Sequence, residues 1–130
     1  MADYSANFRT NYFWTKDPAA FIAWVATIPG LEAHQKDPTR TDCAYALLCE
    51  GSEPQFTNDG DLIDLPSEVA KHLADNEVAI LIEIGHEKLR YLVGTAQAVH
   101  SDGRSISLSL CDIYRQAEDE FGVTPTRAEG

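Results

Sequence analysis

The chain predicts an α+β fold: one domain built on a mostly antiparallel sheet with about three helices packed on one face, in the order β-α-β-β-α-β-β-β-α. Three observations carry this. From Glu77 to Leu110 the chain reads EVAILIEIGHEKLRYLVGTAQAVHSDGRSISLSL, its most apolar and most regularly patterned part. Three other segments have helical spacing, with Asp or Pro at their starts and Gly or Asn at their stops. No linker and no internal repeat divides the 130 residues, a length that buries a core without metal or disulfide.

Within the patterned stretch, Val78, Ile80, Ile82 and Ile84 alternate with Glu77, Ala79, Leu81 and Glu83, the period of two expected of a strand with one buried face. Gly85-His86-Glu87-Lys88 interrupts the pattern and Leu89 to Val93 restarts it. Ser101-Asp102-Gly103 is a turn, with Gly free to take positive φ. Ile106, Leu108 and Leu110 then alternate with Ser105, Ser107 and Ser109. Three strands result, expected to form the core around which the rest packs.

Residues 1 to 8 are expected to be a loose end, and Arg9 to Thr15, with Tyr12, Phe13 and Trp14, a first strand. Asp17-Pro18 opens a helix, because Asp caps and Pro needs no N–H in the first turn. Phe21, Trp24, Val25 and Ile28 make its buried stripe, and Pro29-Gly30 stops it. Leu31 to Gln35 reads as a short strand. A polar turn through Pro38 leads to a strand beginning at Cys43. Glu50 to Asp64 is a loop rich in Gly, Pro, Asn and Asp. Leu65-Pro66-Ser67-Glu68 starts a second helix with Val69 and Leu73 inward, ended by Asp75-Asn76. Asp112 caps a third, in which Ile113, Ala117 and Phe121 share a face, and Gly122 stops it. Residues 123–130 are expected to fray.

Composition limits function. Two Trp, five Tyr, five Phe and a 44% hydrophobic share are those of a globular protein. No apolar run is long enough to cross a bilayer, and MADYSANFRT is too polar for a signal peptide. The three cysteines have no CxxC spacing. Cys43 and Cys49 would lie about 20 Å apart along one strand face, beyond disulfide reach. A reduced, cytoplasmic protein is expected. Acidic residues outnumber basic ones 21 to 10, a formal net charge of −11. Direct binding to nucleic acid or an anionic membrane is therefore not expected, since both need clustered Lys and Arg.

No catalytic motif is complete. His86-Glu87-Lys88-Leu89-Arg90 begins like the HExxH zinc motif, but Arg90 stands where the second His belongs. Asn58-Asp59-Gly60-Asp61 with Asp64 lacks the order and closing Glu of a calcium loop. No metal or cofactor is expected. The residues an acid–base site would use are Glu83, His86 and Glu87, with His100, if strand ends bring them together. They define the alternative reading, a small enzyme or ligand-binding domain with a pocket near Gly85–Lys88.

The acidic residues form the main functional signal. From Thr41 to Ala70 there are seven acids and no Lys or Arg. Glu50, Glu53, Asp59, Asp61 and Asp64 are the candidate partner-binding group, with Glu118, Asp119 and Glu120 as a second patch. One reading is a solvated face that maintains solubility. The other is an array of carboxylates imitating the phosphates of a nucleic acid and occupying a basic site on a host protein. A further alternative is a homo-oligomer in which Cys43–Leu48, as an edge strand, pairs with its own copy.

GHEKLRYLVG (Gly85 to Gly94), ISLSLCDIY (Ile106 to Tyr114) and the NYFWTKDP start are similar to stretches in small acidic accessory proteins of plasmids, phages and integrating elements. The resemblance implies a setting in which such elements encode inhibitors of restriction or CRISPR systems, some of them nucleic-acid mimics.

Overall fold

A computed structural model describes residues 4–87 and 91–128. The elements are β1 (Tyr4–Thr10), α1 (Pro18–Val25), β2 (Leu31–Gln35), β3 (Tyr45–Glu50), α2 (Leu65–His72), β4 (Val78–Glu87), β5 (Tyr91–His100), β6 (Ser105–Ser109) and α3 (Asp112–Phe121). This is the α+β order expected from the sequence. All pairings are antiparallel, in one sheet ordered β2-β3-β1-β4-β5-β6.

From Tyr4 onward the N-terminal segment is central rather than loose; residues 1–3 of the expected loose end lie outside the described residues. β1 lies between β3 and β4, with Phe8 opposite both Cys49 and Glu83. Its ladder ends at Thr10, five residues before the expected strand end, and Asn11 prolongs it with its side chain. Asn11 Oδ1 accepts the Ile80 N–H at 2.7 Å, and Nδ2 donates to the Val78 carbonyl at 3.2 Å. Thr10 is buried, and its hydroxyl accepts the Leu47 N–H at 2.9 Å, supplying a partner that an apolar side chain could not. Beyond it, single bridges join Phe13 to Tyr45 and Thr15 to Leu73. Phe13 turns into the core while Tyr12 and Trp14 face out.

α1 begins as its sequence requires: Asp17 accepts the Ala20 N–H at 3.2 Å, and Pro18 opens the first turn. Phe21, Val25 and Ile28 are buried, with Trp24 half-buried. α2 contributes Leu65, Val69 and Ala70, and Leu73 follows just past its end. These helical residues pack on Phe8, Leu47, Ala79, Leu81 and Val99 from the sheet.

That packing reverses the face expected of β4. Ala79 and Leu81 point at the helices, while Ile82 and Ile84 are 40% and 57% exposed. Both faces of this strand are apolar, so a period of two identifies two faces without saying which is covered. Small Ala79 beside Leu81 gives the helices room to approach. β4 also runs through Gly85-His86-Glu87 without interruption. β3 begins at Tyr45 and, contrary to the expected edge position, lies between β2 and β1; the edges are β2 and β6.

α3 starts at Asp112, with Cys111 at the cap position. The Asp112 carboxylate accepts the Ser109 N–H at 2.8 Å, and Gly122 closes the helix at φ +70°. No α3 residue is buried, so Ile113 and Phe121 are not packed on the sheet as expected. The segment after α3 is tied back: Ala128 N donates to Tyr114 Oη at 2.8 Å, and Arg127 lies over the Tyr114 ring.

At the end of α2, His72 stacks on Trp24 at 4.8 Å and meets the edge of Phe21 at 5.7 Å. Burial holds its imidazole below the ordinary value of 6.5; Lys16 and Lys71 act with burial, Glu68 and Asp17 against it. The unfolded chain therefore binds this proton more readily than the folded one. The stability the group contributes is complete above its ordinary value and is lost as pH falls through the folded value. Melting temperature is expected to drop as pH falls below about 6.5, with a shallower drop in His72→Phe. An identical pH slope in the variant would contradict this.

Candidate functional site

The loop between β3 and α2 is built rather than slack. Thr57 N donates to the Asp61 carbonyl at 2.9 Å, Asp61 N to Thr57 Oγ1 at 3.2 Å, and Gly60 takes φ +85° in the turn. Asn58 then pins the loop to the end of α1. Its N–H donates to the Thr27 carbonyl at 2.8 Å, and its Nδ2 to the Ala26 carbonyl at 3.1 Å. Asp59 and Asp61 consequently project into solvent from a fixed turn. Asp64 is exposed at the start of α2, where its Oδ2 accepts from Ser67 Oγ at 2.9 Å.

Glu53 lies on the other side of the loop, half-buried against the sheet. Its N–H donates to Glu83 Oε1, which fixes the chain over the middle of β4. Burial pushes the Glu53 carboxyl above its ordinary range, and repulsion from Glu83 and then Asp64 pushes it further. Glu50 ends β3 nearby, and the Cys49 thiol is raised by burial first and then by Glu32, Glu50 and Glu83. A raised thiol is a poor nucleophile.

The structure thus brings Glu53 and Asp64 together with Glu83 on the helix side of the sheet, whereas Glu50 and Glu32 stand on the opposite face with Arg9 and His34. Glu32 reaches its place on that opposite face only when β2 and β3 pair, through Leu48. Glu118, Asp119 and Glu120 are exposed on α3, as a separate patch. Among the described residues, none of the eight predicted partner-binding acids forms an ion pair. The cations that do pair, Arg40, Lys71 and Arg104, are held by Asp42, Glu68 and Asp102.

Beside Glu53 a polar groove of about 560 Å³ runs across the helix side of β4, β5 and β6, lined by Glu53, Glu83, Gln97, Ser107, Ser109 and Asp112. It is open because α3 does not cover the serine row of β6. This groove lies at the middle of β4, away from Gly85–Glu87; Lys88 and Arg90 lie outside the described residues.

The acid–base candidates do not converge. Glu83 and Glu87 share the helix side of β4, whereas His86 is on the opposite face. His100 pairs with Val78 at the far end of the hairpin, while His86 pairs with Leu92. Eight residues of strand separate the two histidines, about 27 Å. Among the described residues no three His, Cys, Asp or Glu side chains are placed to hold a metal ion, and no helix is long and apolar enough to cross a membrane. No protein-family model, curated protein or solved structure matches the chain.

Proposed function

We propose that this chain is a non-enzymatic protein-binding module that presents fixed carboxylates to a basic, nucleic-acid-binding surface of a host protein. The observation that carries the reading is the group Glu53, Glu83 and Asp64, which the fold brings together and in which no member forms an ion pair among the described residues. A carboxyl raised by burial and by like-charged neighbours is one whose charged form lacks compensation. Lys and Arg side chains on a partner would provide it, as they do for phosphates.

The pinned loop adds a second support. Asn58 holds Asp59 and Asp61 against α1 before any partner arrives, so little ordering entropy opposes binding. Together with the resemblance to accessory proteins of mobile elements, this favours an inhibitor of a restriction, CRISPR or other DNA-processing protein. Carboxylate docking gives fast, salt-sensitive association.

The test is capture from host lysate on the tagged protein. A partner that is itself a nucleic-acid-binding protein, and that duplex DNA or RNA displaces, supports the reading. Capture indifferent to nucleic acid removes it. The polar groove favours a second reading, a small polar ligand bound against Glu53, Gln97 and Ser107. A rise in melting temperature with such a ligand, lost in Gln97→Ala, would identify it. Self-association remains a third reading, with the expected pairing through Cys43–Leu48 excluded by the internal position of β3.

A further inference from the structure

The back of the sheet, away from α1 and α2, carries an apolar surface that the described residues leave open. By register, Ile80, Ile82 and Ile84 of β4 face Ala98, Ala96 and Gly94 of β5, and Ala98 and Ala96 face Ile106 and Leu108 of β6. Large residues on the outer strands and small ones on the middle strand make two ridges with a furrow between them. The furrow holds about 220 Å³, lined by Ile80, Ala96, Ala98, Ile106 and Leu108. Leu110 closes one end, its side chain lying where a Cβ on Gly94 would be, at 3.0 Å.

Ile106 is 76% exposed, Leu92 66% and Leu108 59%. At roughly 180 Å² for a fully exposed residue of this size, they present with Ile82, Ile84 and Leu110 about 600 Å². That is the upper end of what a monomer exposes as one apolar patch, and three-quarters of the roughly 800 Å² each partner contributes to a standard interface.

We propose that this face binds a second copy of the chain. Two molecules of net charge −11 repel everywhere they meet through carboxylates. The outward positions of β4, β5 and β6 on this face hold no Asp, Glu, Lys or Arg, so two copies approach here without opposing like charges. The relief is also self-complementary. The β6 ridge of one copy enters the β5 furrow of the other, and a two-fold axis makes the second contact identical to the first. The sheets then pack face to face at about 10 Å, as in a sandwich. α3 does not fill the furrow within one chain: only Leu110 and Cys111 separate it from β6.

Sedimentation or light scattering of the full chain tests this. The wild type is expected at twice 14.3 kDa in the micromolar range. Ala96→Arg blocks the furrow and is expected to weaken self-association more than about tenfold, giving 14.3 kDa. Leu108→Gln, at an exposed position, is expected to do the same should Ala96→Arg fail to fold. Ser107→Arg, on the other face of the same strand, is expected to leave the dimer intact. High salt is expected to preserve or strengthen the dimer, because it screens the repulsion between copies. A wild type of 14.3 kDa at every concentration overturns the proposal. So does a dimer indifferent to both furrow variants, which would point to pairing of the β6 edges, or one that salt dissociates. Neutralising the acidic loop is expected to leave the dimer unchanged, so failure here is separable from failure of carboxylate docking.

Discussion

Phe21→Ala is expected to destabilise the fold by about 3–5 kcal/mol. Phe21 is fully buried, and its ring meets Phe13 at 5.7 Å, Tyr45 at 5.7 Å, Trp24 at 6.0 Å and His72 at 5.7 Å. These residues come from four separate places: the segment after β1, β3, α1 itself and α2. No single neighbour can relax into the space, so a cavity term adds to the lost transfer energy. A domain of this size has about 5–15 kcal/mol in total, and the variant should sit close to its unfolding limit. The end of α1 also holds the acidic loop through Asn58, so that loop should loosen with it. Urea denaturation checks this: the midpoint should fall with an unchanged slope. A loss under about 1 kcal/mol would mean that α1 is not docked as described.

Neutralising Glu50, Glu53, Asp59, Asp61 and Asp64 together, to Gln and Asn, is expected to weaken partner binding by about a hundredfold or more. Five pairs, most of them exposed and each worth a fraction of a kcal/mol, reach that factor only in combination. The same variant should be no less stable than the wild type at neutral pH. The sign follows from Glu53: its folded pKa is raised from 4.5 by burial and by Glu83 and Asp64. Stability from this group is complete below its ordinary value and is lost as pH rises through the folded value, so at neutral pH the charged form costs stability. Gln removes that cost. A variant that binds as tightly as the wild type would show that the acids serve solubility alone.

The element order was legible because each helix has its own punctuation. Asp17-Pro18 and Gly122 act within a few residues of themselves, and β2 occupies its expected Leu31–Gln35. The place of β1 was legible only in part. Ala6 and Phe8 alternate with Ser5, Asn7 and Arg9, but five residues of weak pattern at a chain start do not announce a central strand. The covered face of β4 was not legible at all. Ala79 and Leu81 are less hydrophobic as a pair than Ile82 and Ile84, and only the positions of α1 and α2 decide between them. α3 has an amphipathic pattern that local spacing reads as packed, although its attachment to β6 holds it clear of the core. Of the acidic site, the loop members were visible as a charge run. Glu83 enters it through strand register, which no local pattern contains, and the same register puts Glu50 on the opposite face and separates His86 from His100.

The most direct test of carboxylate docking is the salt dependence of affinity for the captured partner, measured with purified proteins. Between about 50 mM and 500 mM salt the Kd is expected to rise more than tenfold in the wild type and far less in the neutralised variant, because screening acts on the exposed charges that the variant lacks. An affinity that salt leaves unchanged, equal in wild type and variant, would contradict it.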